Sequence, residues 1–354
     1  MLDALLKPAS IAVVGASRTP GKVGYEILAN LKANQFAGAL TPVNPTAPEI
    51  LGLPCQPSCR AIGAPIDLAV IAVPTAAVLD AVDDAIEAGA GALVVITAGF
   101  KEVGPAGLER ERQLAERCRR RNVRLLGPNC LGLINAHHNM NASFAKHMPQ
   151  RGGISVLSQS GALLTAILDW AAERRLGLSK LISMGNKADL CETDFLEALA
   201  DDPDTRVIVG YLESVAAGDA FIKAAEDAAS KKPVVLFQAG VTAAGGRAAS
   251  SHTGSLAGAD AGYAAAFRRA GVVRADEFET LFDIATAFDM QPPPAGDRIA
   301  VLTNAGGPGI MAADAIELSG LKMAAIAPAT ADALKPRLPA AASVNNPVDV
   351  LGDA

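Results

Sequence analysis

A chain of 354 residues, half of them apolar and only 4% aromatic, must build its cores from Ala, Val, Leu and Ile, which suits parallel sheets buried under small-faced helices. Its net charge of −6 gives no electrostatic ground for a nucleic-acid or anionic-membrane partner. No apolar run reaches the roughly 18 residues of a membrane span, and the N-terminus enters a strand and a glycine turn instead of a cleavage site. The five cysteines show neither metal nor disulfide spacing, so a cytoplasmic location is expected.

Strand and helix signals alternate from the start. Apolar runs at 11–14, 39–43, 67–73 and 92–97 predict strands, and helical patterns at 23–31, 76–88 and 108–121 fill the gaps, the rhythm of a doubly wound parallel α/β sheet. Ligands of such sheets lie across the carboxyl ends of the strands. There the sequence places GASRTPGKVG (15–24), VNP (43–45), VPT (73–75), ITAGF (96–100) and GPNCLG (127–132). The first of these is not a dinucleotide fingerprint, because Ala16 and Ser17 follow Gly15 and Asn44 stands where a ribose-binding acid belongs. Nor is it a Walker loop: five residues separate Gly15 from Gly21, and Val23 follows Lys22. It is either a plain tight turn or a loop whose amides and Lys22 seat a phosphate at a helix N-terminus.

After a polar stretch at 135–151 the rhythm restarts, with strands at 154–157, 181–184, 207–212 and 234–238 and helices at 162–174, 193–200, 219–229 and 258–269. Ser158-Gln159-Ser160-Gly161 opens the first of these helices, so its free amides suit an anion, although the serines equally suit helix capping. A small-residue loop, 248–258, carries His252. A neutral imidazole there can accept and pass on a phosphoryl group; the alternative is an ordinary surface histidine. Glu213, at the end of a strand, would hold one ring nitrogen of His252, or else is an exposed loop acid. A linker at 291–296 leads to an expected buried strand at 298–303, then to Asn304-Ala305-Gly306-Gly307-Pro308-Gly309 and a helix to about 319. Fewer than 60 residues follow the linker, about half of a doubly wound domain. The charged segment 109–121 reads as a solvated helix face, and His137, His138 and His147 lack ligands at metal spacing, so no metal site is expected.

These motifs, in this order, resemble the NDP-forming acyl-CoA synthetases, the family of ADP-forming acetyl-CoA synthetase and succinyl-CoA synthetase. The resemblance implies a Rossmann-like CoA-binding domain (1–150), a flavodoxin-like domain with the phosphohistidine loop (151–290), the linker, and the start of a second flavodoxin-like domain (297–354). It places CoA across Gly15, Ala16, Ser17, Lys22, Val23, Val43, Asn44, Pro45, Val73, Pro74, Ile96, Thr97, Ala98, Gly99 and Asn129. Phosphate would meet Ser158, Gln159, Ser160, Gly161, Asn304, Gly306, Gly307 and Gly309, with His252 and Glu213 catalytic. ADP or ATP with Mg2+ would bind an ATP-grasp part absent from this sequence, so a partner subunit or further C-terminal region, within an oligomer, is implied. In some relatives the same domains form a CoA-sensing module of a protein acyltransferase, an alternative that the presence of His252 disfavours.

Overall fold

The computed structural model describes residues 2–242, 244–247 and 260–352, and the chain divides into two compact units, 1–291 and 292–354. In the first unit, strands β1 (Ser10–Val14), β2 (Ala39–Val43), β3 (Leu68–Ile71), β4 (Ala92–Val95) and β5 (Arg124–Leu126) form a parallel sheet in the order β2-β1-β3-β4-β5. Every residue of β3 and β4 is buried, which is why LAVI and ALVV are continuously apolar instead of alternating. Each such Leu, Ile or Val contributes about 1.5–3 kcal/mol by leaving water. Helices α1 (Val23–Ala33), α2 (Val78–Glu87) and α3 (Pro105–Arg120) accompany the sheet. In α2 the buried stripe Val78, Val82, Ala85 has helical spacing. Helix α3 starts on a proline, whose fixed φ suits a first turn, and ends on Arg117, Arg119 and Arg120 at the negative end of its dipole.

A second sheet takes β6 (Gly132–Asn135), β7 (Met140–Ser143), β8 (Arg151–Ser158), β9 (Leu178–Ser183), β10 (Val207–Leu212), β11 (Val234–Gln238) and β12 (Val273–Ala275) in the order β12-β11-β10-β8-β9-β6-β7. It is parallel from β12 to β9 and antiparallel at β6 and β7. Counted from β8, its parallel part repeats the winding of the first sheet. Helices α4 (Gly161–Glu173), α5 (Glu192–Ala200), α6 (Gly218–Lys231), α7 (Asp260–Arg269) and α8 (Phe278–Met290) accompany it.

The polar stretch after 135 thus enters an edge hairpin. Asn141 and Ser143 are fully buried there because they satisfy each other: Ser143 Oγ donates to Asn141 Oδ1 at 2.6 Å, and Asn141 Nδ2 to the Ala145 carbonyl at 3.2 Å. Asn30 of α1 stitches this hairpin down, donating to the carbonyls of Ser143 and Ala145 at 2.8 Å each. The histidines of the turn serve the backbone: His137 Nε2 lies 2.9 Å from the Gly152 carbonyl and His138 Nε2 2.8 Å from that of Pro8. Beneath the second sheet, the fully buried Lys180 donates to Asp202, which also accepts from Thr205 Oγ1 at 2.6 Å and lies 3.2 Å from Lys7 Nζ. Burial would raise the Asp202 carboxyl, but the hydrogen bonds from Lys180, Thr205 and Lys7 hold it below its ordinary range.

In the second unit, Arg298–Ile299 pairs in parallel with Lys322–Met323, and Leu302–Thr303 with Val348–Asp349. The single buried strand expected at 298–303 is therefore corrected to two short segments, with Leu302 74% exposed. The reason is packing. Helix α9 (Gly306–Leu318) buries only Gly309, beside Thr303, and Ile316, and leaves Ile310, Met311 and Leu318 exposed, so it covers these strands thinly and leaves Leu302 in solvent. Among the described residues, no helix is long and apolar enough to cross a membrane.

Candidate functional site

A cavity of ≈ 860 Å³ lies beyond the carboxyl ends of β1, β3, β4 and β5 and extends to the end of β8. The first sheet contributes Gly15, Ser17, Lys22 and Val23 from the glycine turn, then Val73 and Pro74, Ile96 to Ala98, and Asn129. On the other wall stand Leu131, Phe144, Gln159, Ser160 and Gly161. Ten of the residues singled out for CoA and three of those for phosphate, Gln159, Ser160 and Gly161, share one space, which Ser158 does not line.

The glycine turn is built for close approach. Gly15 sits at φ +87°, and a Cβ on it would meet the Ala72 carbonyl oxygen at 2.5 Å; a Cβ on Gly24 would meet that of Gly15 at 2.0 Å. Any side chain at either position pushes the turn away from β3 or from α1. Lys22 is the N-cap of α1 without a side-chain cap bond, while Glu26 accepts from the Gly21 amide at 2.7 Å. Amides of the first turn of α1 are thus left for an anion beside the Lys22 ammonium.

Five of the residues expected to touch CoA do not line this cavity: Ala16, Val43, Asn44, Pro45 and Gly99. Ala16 and Val43 are buried. Asn44 braces the turn, donating to the Ala16 carbonyl at 2.8 Å and accepting from the amides of Thr46 at 2.9 Å and Ala47 at 3.1 Å. Gly99 donates its amide to Glu102 at 2.5 Å, and Pro45 is exposed.

Behind Asn129 lies a support that the sequence did not disclose. Asn129 Nδ2 donates to Asn186 Oδ1 at 3.2 Å, while Asn186 Nδ2 donates to Glu102 Oε2 at 2.6 Å and to Glu111 Oε2 at 2.7 Å. Ionised carboxylates only accept, so the amide of Asn186 must face them with nitrogen and Asn129 with oxygen. Burial would raise the Glu102 carboxyl, but bonds from Asn186 and the amides of Gly99 and Phe100 hold it below its usual range. No local spacing reveals this cluster, because Asn186 is 84 residues from Glu102 and 75 from Glu111.

At the β8 end, Ser160 Oγ caps α4 by accepting from the Leu163 amide at 3.3 Å, while Ser158 Oγ accepts from the Ser160 amide at 3.0 Å. Ser160 therefore does cap, Ser158 braces the turn before it, and Ser160 and Gly161 also face the cavity. Glu213 is buried, at 7% exposure, and its Oε2 has no hydrogen-bond partner among the described residues. Burial and the adjacent Glu213 carboxylate push the Tyr211 phenol up to about 12. His252 lies outside the described residues. In the second unit, Asn304, Gly306 and Gly307 are exposed at the start of α9, whose N-cap Ala305 provides no side-chain cap.

Comparison with known proteins gives a consistent result. Residues 9–136 match a CoA binding domain, and residues 151–288 a succinyl-CoA ligase like flavodoxin domain. The chain is 46% identical over 98% of its length to an ADP-forming acetate–CoA ligase of Methanocaldococcus jannaschii, of which it covers 49%. It is 42% identical over its whole length to the alpha subunit of ADP-forming acetate–CoA ligase II of Pyrococcus furiosus, covering 77% of it. A solved acetyl-coenzyme A synthetase 1 of Ca. Korarchaeum cryptofilum, in complex with phosphate and ADP, superposes over the whole chain and 76% of its own, with a TM-score of 0.94 at 41% identity. The chain spans about half the length of the first curated relatives it matches and about three quarters of the Pyrococcus alpha subunit. On this evidence the chain belongs to the NDP-forming acyl-CoA synthetases, the family of the ADP-forming acetate–CoA ligases.

Proposed function

We propose that this chain is the alpha-type part of an ADP-forming acyl-CoA synthetase that interconverts acyl-CoA, phosphate and ADP with carboxylic acid, CoA and ATP. The observation that carries this reading is the single cavity in which the glycine turn, the strand ends of the first sheet and the Ser160-Gly161 helix start meet. Its donors fit CoA. Lys22 and the α1 amides suit the phosphates, and Val73, Ile96 and Leu131 suit the pantetheine arm.

Phosphate held at the α4 N-terminus attacks the thioester carbonyl; the C–S bond breaks, a C–O bond forms, and acyl phosphate and CoA thiolate result. His252 then takes the phosphoryl group through a ring nitrogen, the P–O bond breaks, and the carboxylate leaves. Glu213 receives the N–H of the other ring nitrogen and supports the positive charge. Such transfers depend chiefly on positioning and electrostatic stabilisation. Nucleotide with Mg2+ binds an ATP-grasp part carried by a partner subunit or a further region of the protein, within a cytoplasmic oligomer. In this scheme, residues 1–150 bind CoA, 151–290 carry the histidine loop, and 297–354 begin a second flavodoxin-like domain. The relatives named above are ligases, which favours an enzyme over an acyl-CoA sensing module.

Incubating the full-length protein with acetyl-CoA and radiolabelled phosphate tests this. The expected label is acid-labile, base-stable and absent from His252→Ala. Retention of CoA without any label in the wild type would support the sensing module instead.

A further inference from the structure

We propose that Gln159 is a positioning residue whose side-chain amide fixes the place of Glu213, an inference that rests on the phosphohistidine reading above. The parallel ladder between β8 and β10 ends at the Ser158–Tyr211 register pair, with the Gln159 amide donating to the Tyr211 carbonyl at 3.3 Å. Beyond that point the two backbones part, β8 turning into α4 and β10 running on to Glu213. The side chain of Gln159 fills the gap. Its Oε1 accepts from the Glu213 amide and from the Ser214 amide at 2.9 Å, and its Nε2 donates to the Ser214 carbonyl at 3.1 Å. A side-chain amide thus replaces the next rung of the sheet.

The orientation of that amide is fixed by its partners, since backbone N–H groups can only donate and a carbonyl can only accept. Its oxygen has both acceptor positions used, and its nitrogen is committed to Ser214. Gln159 borders the cavity, and its side-chain polar atoms are engaged by Glu213 and Ser214, with Nε2 also 3.4 Å from the Ser214 hydroxyl.

The same segment is pinned from the opposite side. Lys187 Nζ donates to the Ser214 carbonyl at 2.8 Å and pairs with Glu192 Oε2 at 2.9 Å; Glu192 Oε1 in turn accepts from the Ala216 amide at 2.6 Å. Of these anchors, Gln159 is the one that binds Glu213 itself. The mounted group is a buried carboxylate with Oε2 unpartnered among the described residues. Leaving such an oxygen open costs stability, and a rigid mount keeps it aimed where an incoming N–H arrives.

The test measures the rate of phosphohistidine formation from acetyl-CoA and radiolabelled phosphate in the full-length protein. Gln159→Met, similar in size but unable to accept or donate these bonds, is expected to slow loading about 10- to 100-fold, with the KM for acetyl-CoA unchanged. Gln159→Glu keeps an acceptor for the two amides and recovers part of the rate. In a Glu213→Gln background, Gln159→Met changes the rate less than about 2-fold, because no carboxylate is left to aim. Where Gln159→Met does not fold, by its thermal transition, Gln159→Ser takes its place in the cycle. Equal slowing in both backgrounds, no recovery in Gln159→Glu, or undiminished loading in Gln159→Met overturns the inference while leaving the phosphohistidine reading intact. Absence of label from the wild type overturns both.

Discussion

The two sheets of the first unit wind alike but end differently. Each has its topological switch beside its first parallel strand, between β1 and β3 in one and between β8 and β10 in the other. At the first switch the sequence spends glycines and a lysine, Gly15 to Gly24 with Lys22, so that backbone amides come close to a ligand. At the second it spends hydroxyls, an amide and a carboxylate: Ser158, Gln159, Ser160 and Glu213. One winding thus presents two kinds of edge. The first is suited to holding an anionic substrate, the second to orienting groups that exchange one.

The largest effect that sharpens this contrast is expected at Glu213. Glu213→Gln should slow phosphoryl loading of His252 by about 100- to 1000-fold, the scale of losing one preorganised electrostatic partner, with CoA affinity unchanged by calorimetry. A matching loss of CoA binding would erase the division of labour. Next comes the frame of the second sheet. Asp202→Asn takes the nearer of two counter-charges from the buried Lys180, leaving Asp204 at 4.0 Å, and should cost about 3 kcal/mol in urea unfolding. If the two sheets of the unit share one cooperative transition, the first is lost at the same urea concentration as the second.

A smaller effect is expected at the first switch. Lys22→Ala removes one charge-assisted contact and should weaken CoA binding about 10-fold while leaving loading from acetyl phosphate unchanged. The mildest is a pH effect. The carboxyls of Asp202 and Glu102 are held below their ordinary values, so their stabilisation is complete above the unfolded pKa near 4 and is lost as pH falls through the depressed folded values. Acid titration of stability should therefore steepen below about pH 4, and less so in Asp202→Asn.

The strands were readable because burial on both faces leaves continuous apolar runs, as in LAVI at 68–71 and VVLF at 234–237. Motifs at their carboxyl ends were equally plain, since glycines and hydroxyls interrupt those runs. What escaped was polar and buried. Asn141 and Ser143 read as loop residues because their mutual hydrogen bonds are invisible in a linear pattern. Asn186, Glu102 and Glu111 converge behind Asn129 only through tertiary folding. Gln159 was read as a phosphate residue by its place in SQSG; that its side-chain amide also holds a backbone 54 residues away could not be read there. At 298–303 the apolar run promised a buried strand, but α9 packs beside Thr303 and leaves Leu302 in solvent.

The edge hairpin β6–β7 also constrains how copies of this protein can meet. Every residue of β7 is buried, and Asn30 of α1 holds the carbonyl of its last residue, Ser143, so that margin is covered and not an open edge. A strand added on that side would first have to displace α1 from β7.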